Sequence, residues 1–139
     1  MFEAALSNLN WLHVLVAALA YFALGAIWYG PLFSKPWVKG HNIDANGPDA
    51  KKGVGVLMAL SFVAFFVITF AAAVILTIVH AEVASHALKW GLFLGGAIAA
   101  PVIVINHLYL KKPIIIHVID ALYHVVGITI ACLILVLWR

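Results

Sequence analysis

Four long stretches of this chain are almost free of charge. No Asp, Glu, Lys or Arg occurs from Ala4 to Ser34, from Gly53 to Ala81 or from Trp90 to Leu110, and from Pro113 to Trp138 the one exception is Asp120. A helix needs about 20 apolar residues to cross about 30 Å of hydrocarbon, and each stretch is longer than that. Hydrophobic residues make up 66% of the chain and charged ones 9%, against about 45–50% apolar in soluble domains. The pattern predicts an all-α fold: an integral membrane four-helix bundle, one transmembrane domain over residues 1–139. Its spans are expected at about 10–29, 54–79, 90–110 and 114–138, with one larger loop at 31–53. Little chain is left for a separate soluble active site.

The net charge of +3 does not point to nucleic acid, because the lysines lie in loops beside the spans rather than on a soluble basic face. Lys35, Lys39, Lys51, Lys52, Lys111 and Lys112 fall on one side of the expected topology, Lys89 and Arg139 on the other. The positive-inside rule then makes the large loop cytoplasmic and puts both termini outside. Ahead of the first span there is only Glu3, without a basic n-region or cleavage site, so that span is expected to be retained. A lone cysteine, Cys132, excludes a disulfide framework and a C-x-x-C pair.

The first span has Trp11 near one end and Trp28 and Tyr29 near the other, an aromatic belt, and Gly30-Pro31 is expected to end it. Trp28, Tyr29, Pro31, Lys35 and Trp37 form an interfacial motif. The segment after it suits either the headgroup layer or an unstructured loop. In the second span Ser61, Thr69 and Thr77 can bond back to their own helix. The third carries small residues every fourth position, Gly91, Gly95 and Ala99 beside Gly96 and Ala100, and so is expected to be the central packing surface. Pro101 removes an N–H and crowds the Ala97 carbonyl, loosening the helix.

The chemistry-bearing residues concentrate in the last two spans. His117, Asp120 and His124 are spaced i, i+3, i+7, which places them on one stripe of the fourth helix. Asp at the centre of a spanning helix costs about 2.5–3.5 kcal/mol on insertion scales, so Asp120 must face protein, water or a partner. Lys111-Lys112-Pro113 is a tight turn, which brings Asn106 and His107 near the stripe from the third helix. Ala131 and Gly127 continue the stripe and permit close contact. Three readings stay open. The groups fix the bundle by interhelical hydrogen bonds, they form a protonatable relay or an ion or substrate site, or they ligate haem or a metal. A looser set, His80, Glu82 and His86, is a weak candidate for a divalent cation. No nucleophile with a base, phosphate loop or H-E-x-x-H motif is present, so an enzyme is not expected.

The functional expectation is therefore a small proton- or cation-sensitive transporter or channel, with a polar site between the third and fourth spans. An accessory or scaffold subunit docking through its Gly/Ala face is the alternative, and a haem- or metal-binding redox protein the outsider. Partners are the bilayer and further copies or a larger membrane complex.

Asn10-Trp11-Leu12, Trp28-Tyr29-Gly30-Pro31-Leu32-Phe33 with Lys35 and Trp37, Asn106, and Tyr123-His124 in a helix ending Leu137-Trp138-Arg139 carry a resemblance. The chain resembles, over essentially its whole length, an uncharacterised bacterial membrane family, the domain of unknown function seventeen-sixty-one. The resemblance implies a compact four-span inner-membrane protein and marks Trp28, Tyr29, Pro31, Asn106, Tyr123 and His124. In the family pattern an Asn-like residue stands at the place of Asp120, so the carboxylate is a departure from it.

Overall fold

The computed structural model describes residues 1–138, and over these it is all-helical, without strands. A short helix α1 (Phe2–Ser7) leads into α2 (Trp11–Ile27). Asn10 closes the start of α2, its Oδ1 accepting the N–H groups of Leu12 and His13 at 3.1 and 3.3 Å, which satisfies two otherwise unpaired donors.

The helix does not stop at Gly30-Pro31. It continues through a wider π-type turn, Trp28–Leu32. Pro31 has no N–H to give the carbonyl four residues back. Instead the Phe33 N–H reaches the Trp28 carbonyl, five residues back, at 2.9 Å. The segment expected to be loop then forms α3 (Ser34–His41), which packs on the last helix instead of remaining unstructured.

Next come α4 (Val54–Ile78), α5 (Ala84–Phe93), a second π-type turn (Leu94–Ala99), α6 (Ala100–Tyr109) and α7 (Ile114–Leu137). The second wide turn sits just before Pro101, so both prolines inside long helices are accommodated the same way. Four helices, Trp11–Leu32, Val54–Ile78, Ala84–Tyr109 and Ile114–Leu137, are long and apolar enough to cross a membrane. The third begins six residues earlier than the pattern of charges suggested, because Lys89 lies within its first turns.

Three helix ends close through a left-handed residue, Asn42, His80 and Lys111. In each, the next N–H returns to a carbonyl one turn back: Ile43 to Val38 at 3.1 Å, Ala81 to Leu76 at 2.9 Å and Lys112 to His107 at 3.0 Å. The last of these makes α6 and α7 antiparallel neighbours.

The centre of the structure is α7. It touches α2, α3, α4, α5 and α6, and it is the most buried of the four long helices, whereas the third is the least. This corrects the expectation that the glycine-rich third helix is central. Its small residues serve to lean on α7: a Cβ at Gly91 would lie 2.6 Å from the Thr129 Cα, and one at Gly95 2.7 Å from the Val125 Cα. Ala99 packs half-buried against the same core. Gly96 does not take part. It lies one residue, about 100°, around the helix from Gly95, and it is exposed with nothing within 4 Å of its would-be Cβ. Ala100 is half-buried. Gly127 is a close-packing position, but its partner is the Tyr21 ring of α2 rather than the third helix.

Tyr21, Phe65 and Tyr123 fill the middle of the core, and Ala17, Ala72, Ala73 and Ala131 fill the half nearer Trp11. The outward faces, with Leu60, Val63, Leu92 and Val102 at least half exposed, are apolar. On a soluble protein such continuous faces would be an aggregation hazard, whereas lipid accommodates them.

Gly95→Val should therefore overpack the α7 contact and destabilise the fold by about 1–3 kcal/mol, whereas Gly96→Val should leave it unchanged. Thermal unfolding of the two variants in detergent reads the difference.

Candidate functional site

Asp120 lies on α7, six residues after the helix begins, at the end of the bundle that carries Lys111 and Lys112. Its side chain is 14% exposed. The neighbours that enclose it come from three other segments.

The first is the wide turn of α2. There Trp28 and Tyr29, consecutive in sequence, both reach α7: the Trp28 indole N–H donates to the Ile119 carbonyl at 3.1 Å, and the Tyr29 hydroxyl donates to Asp120 Oδ1 at 2.8 Å. The second is α3, from which the Trp37 indole N–H donates to the same Oδ1 at 3.0 Å. Gly40 lets α3 lie this close, since a Cβ there would overlap the buried Ile116 side chain. The third is α6, where His107, buried and in the last turn of the helix, puts Nε2 3.3 Å from Asp120 Oδ2. A second imidazole, His41 at the end of α3, approaches the same Oδ2 at 3.9 Å. Oδ1 thus has two neutral donors and Oδ2 faces two imidazoles. His41 Nε2 and His107 Nδ1 are buried without a hydrogen-bond partner.

Burial pushes the His41 imidazole below its ordinary value of 6.5, with Lys112 and His107 adding to that effect and Asp120 opposing it. His41 is thereby biased toward the neutral form.

A second polar layer lies one turn further along α7. The Tyr21 hydroxyl bonds to His124 Nδ1, and the Tyr123 hydroxyl donates to the Tyr21 carbonyl at 3.0 Å. Tyr29 stacks edge-on against Tyr123 with ring centroids 5.1 Å apart, which links the two layers. Beyond Tyr21 the core becomes apolar, and Thr69, fully buried there, has no partner for its hydroxyl. Of the hydroxyls expected to bond back to their own helix, Thr77 does so, to Ala73 at 2.9 Å, and Thr69 does not.

The geometry rearranges the constellation expected from spacing. Asp120 does not take its imidazoles from its own stripe. The ring of His117 turns to the helix start, where Nε2–H donates to the Lys112 carbonyl at 3.1 Å, and His124 is engaged by Tyr21. The partners of Asp120 come instead from α2, α3 and α6, so the site lies among four segments rather than between the third and fourth spans alone. His117 remains nearby, its ring centroid 5.4 Å from that of His107. Asn106 is exposed and stands outside the cluster, because its neighbour His107 holds the α7-facing position and adjacent residues diverge by about 100°.

The interfacial motif is also used differently. Lys35 and Pro31 are exposed, but Trp28, Tyr29 and Trp37 turn their polar tips inward. Sequence reasoning missed Tyr21 and His41 as members of the polar core. The available signal was chemical: Tyr and Trp carry one polar atom that requires a partner when buried, and several such residues flank the Pro31 break.

At the opposite end of the bundle a cavity of about 480 Å³ is lined by Asn8, Asn10, His13, Thr77 and His80 above an apolar floor that includes Val14 and Leu135. Its His13 ring stacks on Trp138 at 4.6 Å. Glu82 and His86 are exposed and do not join His80 there. Among the described residues no group of three His, Cys, Asp or Glu side chains is set to hold a metal ion.

Fold and site together define an all-helical protein of four apolar, span-length helices that enclose a carboxylate with imidazole and aromatic partners. The chain belongs to the family described as Protein of unknown function (DUF1761), whose model matches residues 12–136. No curated protein and no solved structure matches it.

Two outcomes follow from this geometry. Tyr29→Phe removes a hydrogen bond to a charged group and should cost about 1.5–3 kcal/mol. In a double-mutant cycle with Asp120→Asn, detergent unfolding should show the two positions coupled by at least about 0.5 kcal/mol. For pH, the folded state disfavours the charged form of His41, so it binds fewer protons there than the unfolded chain. Docking of α3 should therefore be intact above pH 6.5 and weaken as pH falls below it. Hydrogen exchange over residues 34–41, faster at pH 5 than at pH 7 after correction for intrinsic rates, checks this.

Proposed function

We propose that this is a multi-pass membrane protein in which Asp120, with His107, forms a proton- or cation-responsive site of a small transporter or channel. The observation that supports it is the enclosure of Asp120. A carboxylate inside a span-length apolar helix is costly wherever it lacks partners, and ionisable groups in such positions mark transport pathways and relays. Here the carboxylate is nearly enclosed and has imidazole nitrogen at 3.3 Å. Imidazole is the side chain whose protonation changes near physiological pH.

In the same proposal the end bearing Lys111 and Lys112, and with it the Asp120 site, faces the cytoplasm of a bacterial inner membrane, and both termini face outward. The protein works as a homo-oligomer. Of the Gly/Ala face that an accessory role would offer to a partner, Gly91 and Gly95 already meet the α7 backbone, while Gly96 stays exposed. The two wide turns, each beside a proline, supply local looseness in the helices that carry Tyr29 and His107.

Proteoliposomes enclosing a pH-sensitive dye, with the membrane potential clamped, test the reading. Wild-type protein should pass protons or a proton-coupled cation after a pH step. Asp120→Asn and His107→Gln should each slow this at least about tenfold, a barrier change of about 1.4 kcal/mol, with oligomer size unchanged. Wild-type flux no greater than that of empty vesicles, or undiminished in both variants, overturns it.

A further inference from the structure

We propose that the species handled at Asp120 is the proton, and that His41, carried on α3, is the group through which it passes between solvent and the carboxylate. This rests on the transport reading above and narrows it to one species and one route.

The donor pattern around Asp120 separates a proton site from a metal site. A metal ion needs lone pairs converging on it, whereas Oδ1 already receives an O–H from Tyr29 and an N–H from Trp37. What remains is Oδ2, facing His107 Nε2 at 3.3 Å and His41 Nε2 at 3.9 Å. Among the described residues no three ligands are set for a metal. Yet His41 Nε2 and His107 Nδ1 are both buried without partners. An unpaired buried imidazole nitrogen is expensive, and at His41 one proton would satisfy it: an Nε2–H there would point into the gap before Oδ2.

His41 is also the outermost of the three groups. Its side chain is 19% exposed, against 14% for Asp120 and 9% for His107. A solvent acid gives a proton to the neutral His41 ring, forming imidazolium. The Nε2–H bond then breaks as an O–H bond forms at Oδ2, leaving neutral His41 and a protonated carboxyl group. The reverse sequence releases the proton, and no oxidant or other reactant is required.

The surroundings suit a relay rather than a store. The groups facing His41 are Lys112 on the α6–α7 turn, His107 on α6, and Asp120 on α7. Lys39 stands on its own helix, His117 lies behind His107, and the Trp37 ring packs tilted against the His41 ring, centroids 4.5 Å apart. Two cationic or cationisable neighbours against one carboxylate make the imidazolium short-lived, so a proton taken up moves on. The gap of 3.9 Å is too long for transfer and must close by about 1 Å. That closure would have to come from α3, which is held to α7 through Trp37 and the Gly40 contact.

Proton flux through wild type, Asp120→Asn, His41→Ala and His41→Gln proteoliposomes, with and without free imidazole in the buffer, tests the inference. The expected result is Asp120-dependent flux that His41→Ala and His41→Gln slow at least about tenfold, with imidazole restoring much of the His41→Ala rate. Imidazole should leave Asp120→Asn slow. Restoration that tracks the basicity of added imidazoles of similar size separates proton transfer from a merely structural role. If His41→Ala is as fast as wild type while Asp120→Asn is slow, the His41 route fails and the site reading survives. Slow flux in His41→Ala that imidazole does not restore also overturns the route, and assigns His41 to docking α3. If Mn²⁺ entry, read by quenching of enclosed calcein, depends on Asp120 without proton movement, the proton is the wrong species. Absence of any Asp120-dependent flux removes the transport reading itself.

Discussion

The structure turns on the requirement that a carboxylate inside an apolar helix be surrounded. Asp120 stands inside a span-length apolar helix, where a carboxylate without partners is costly, and the surrounding segments can be understood through the partners they give it. The wide turn of α2 brings Tyr29, the short helix α3 brings Trp37 and His41, and the tight Lys111 turn sets His107 opposite. Remove Asp120 from this picture and three features lose their common purpose: the π-type turn at Trp28–Leu32, the close approach of Gly40 to Ile116, and a helix where a loop was expected. Interhelical hydrogen bonds in membrane proteins are individually modest. Here several of them converge on one group, and their geometry matters more than their sum.

Much of this was legible in the residues. Charge-free runs longer than a bilayer is thick indicated four long helices, and the recurrence of Gly91 and Gly95 indicated a backbone-to-backbone contact. That Asp120 would face protein, water or a partner rather than lipid was readable from its cost alone. Of its partners, His107 was expected nearby through the Lys111 turn, and the others could not be read. Spacing on one helix suggested His117 and His124, yet side chains on one stripe compete with neighbouring helices for contact. The carbonyl of Lys112 and the hydroxyl of Tyr21 are better placed for those two rings. Long-range pairing such as Tyr29 with Asp120, 91 residues apart, leaves no local periodic signal.

The two wide turns explain further misreadings. Gly-Pro normally ends a helix, but a proline without an N–H can also be absorbed by one extra residue per turn. At Pro31 that choice carries the first helix to Leu32 and turns Trp28 and Tyr29 inward. Their aromatic bodies suit an interface and their polar tips suit the core. Composition alone does not decide between the two. In the third helix, position around the axis separates Gly95, against α7, from Gly96, which faces outward. Small residues at regular spacing mark a possible contact, and only the neighbour's position selects the stripe.

The place of α7 in the chain has a consequence for assembly. It is the helix on which the other long helices pack, and it follows all of them in sequence. As the polypeptide emerges, α2 and α4 can meet early through Phe22 with Phe62 and Tyr21 with Phe65. The α5–α6 rod has its glycine seam ready but no surface to dock on until α7 arrives. Synthesis would thus yield a two-helix hairpin and a waiting third rod, and the Asp120 cluster would close in the final step, as its own helix enters between them.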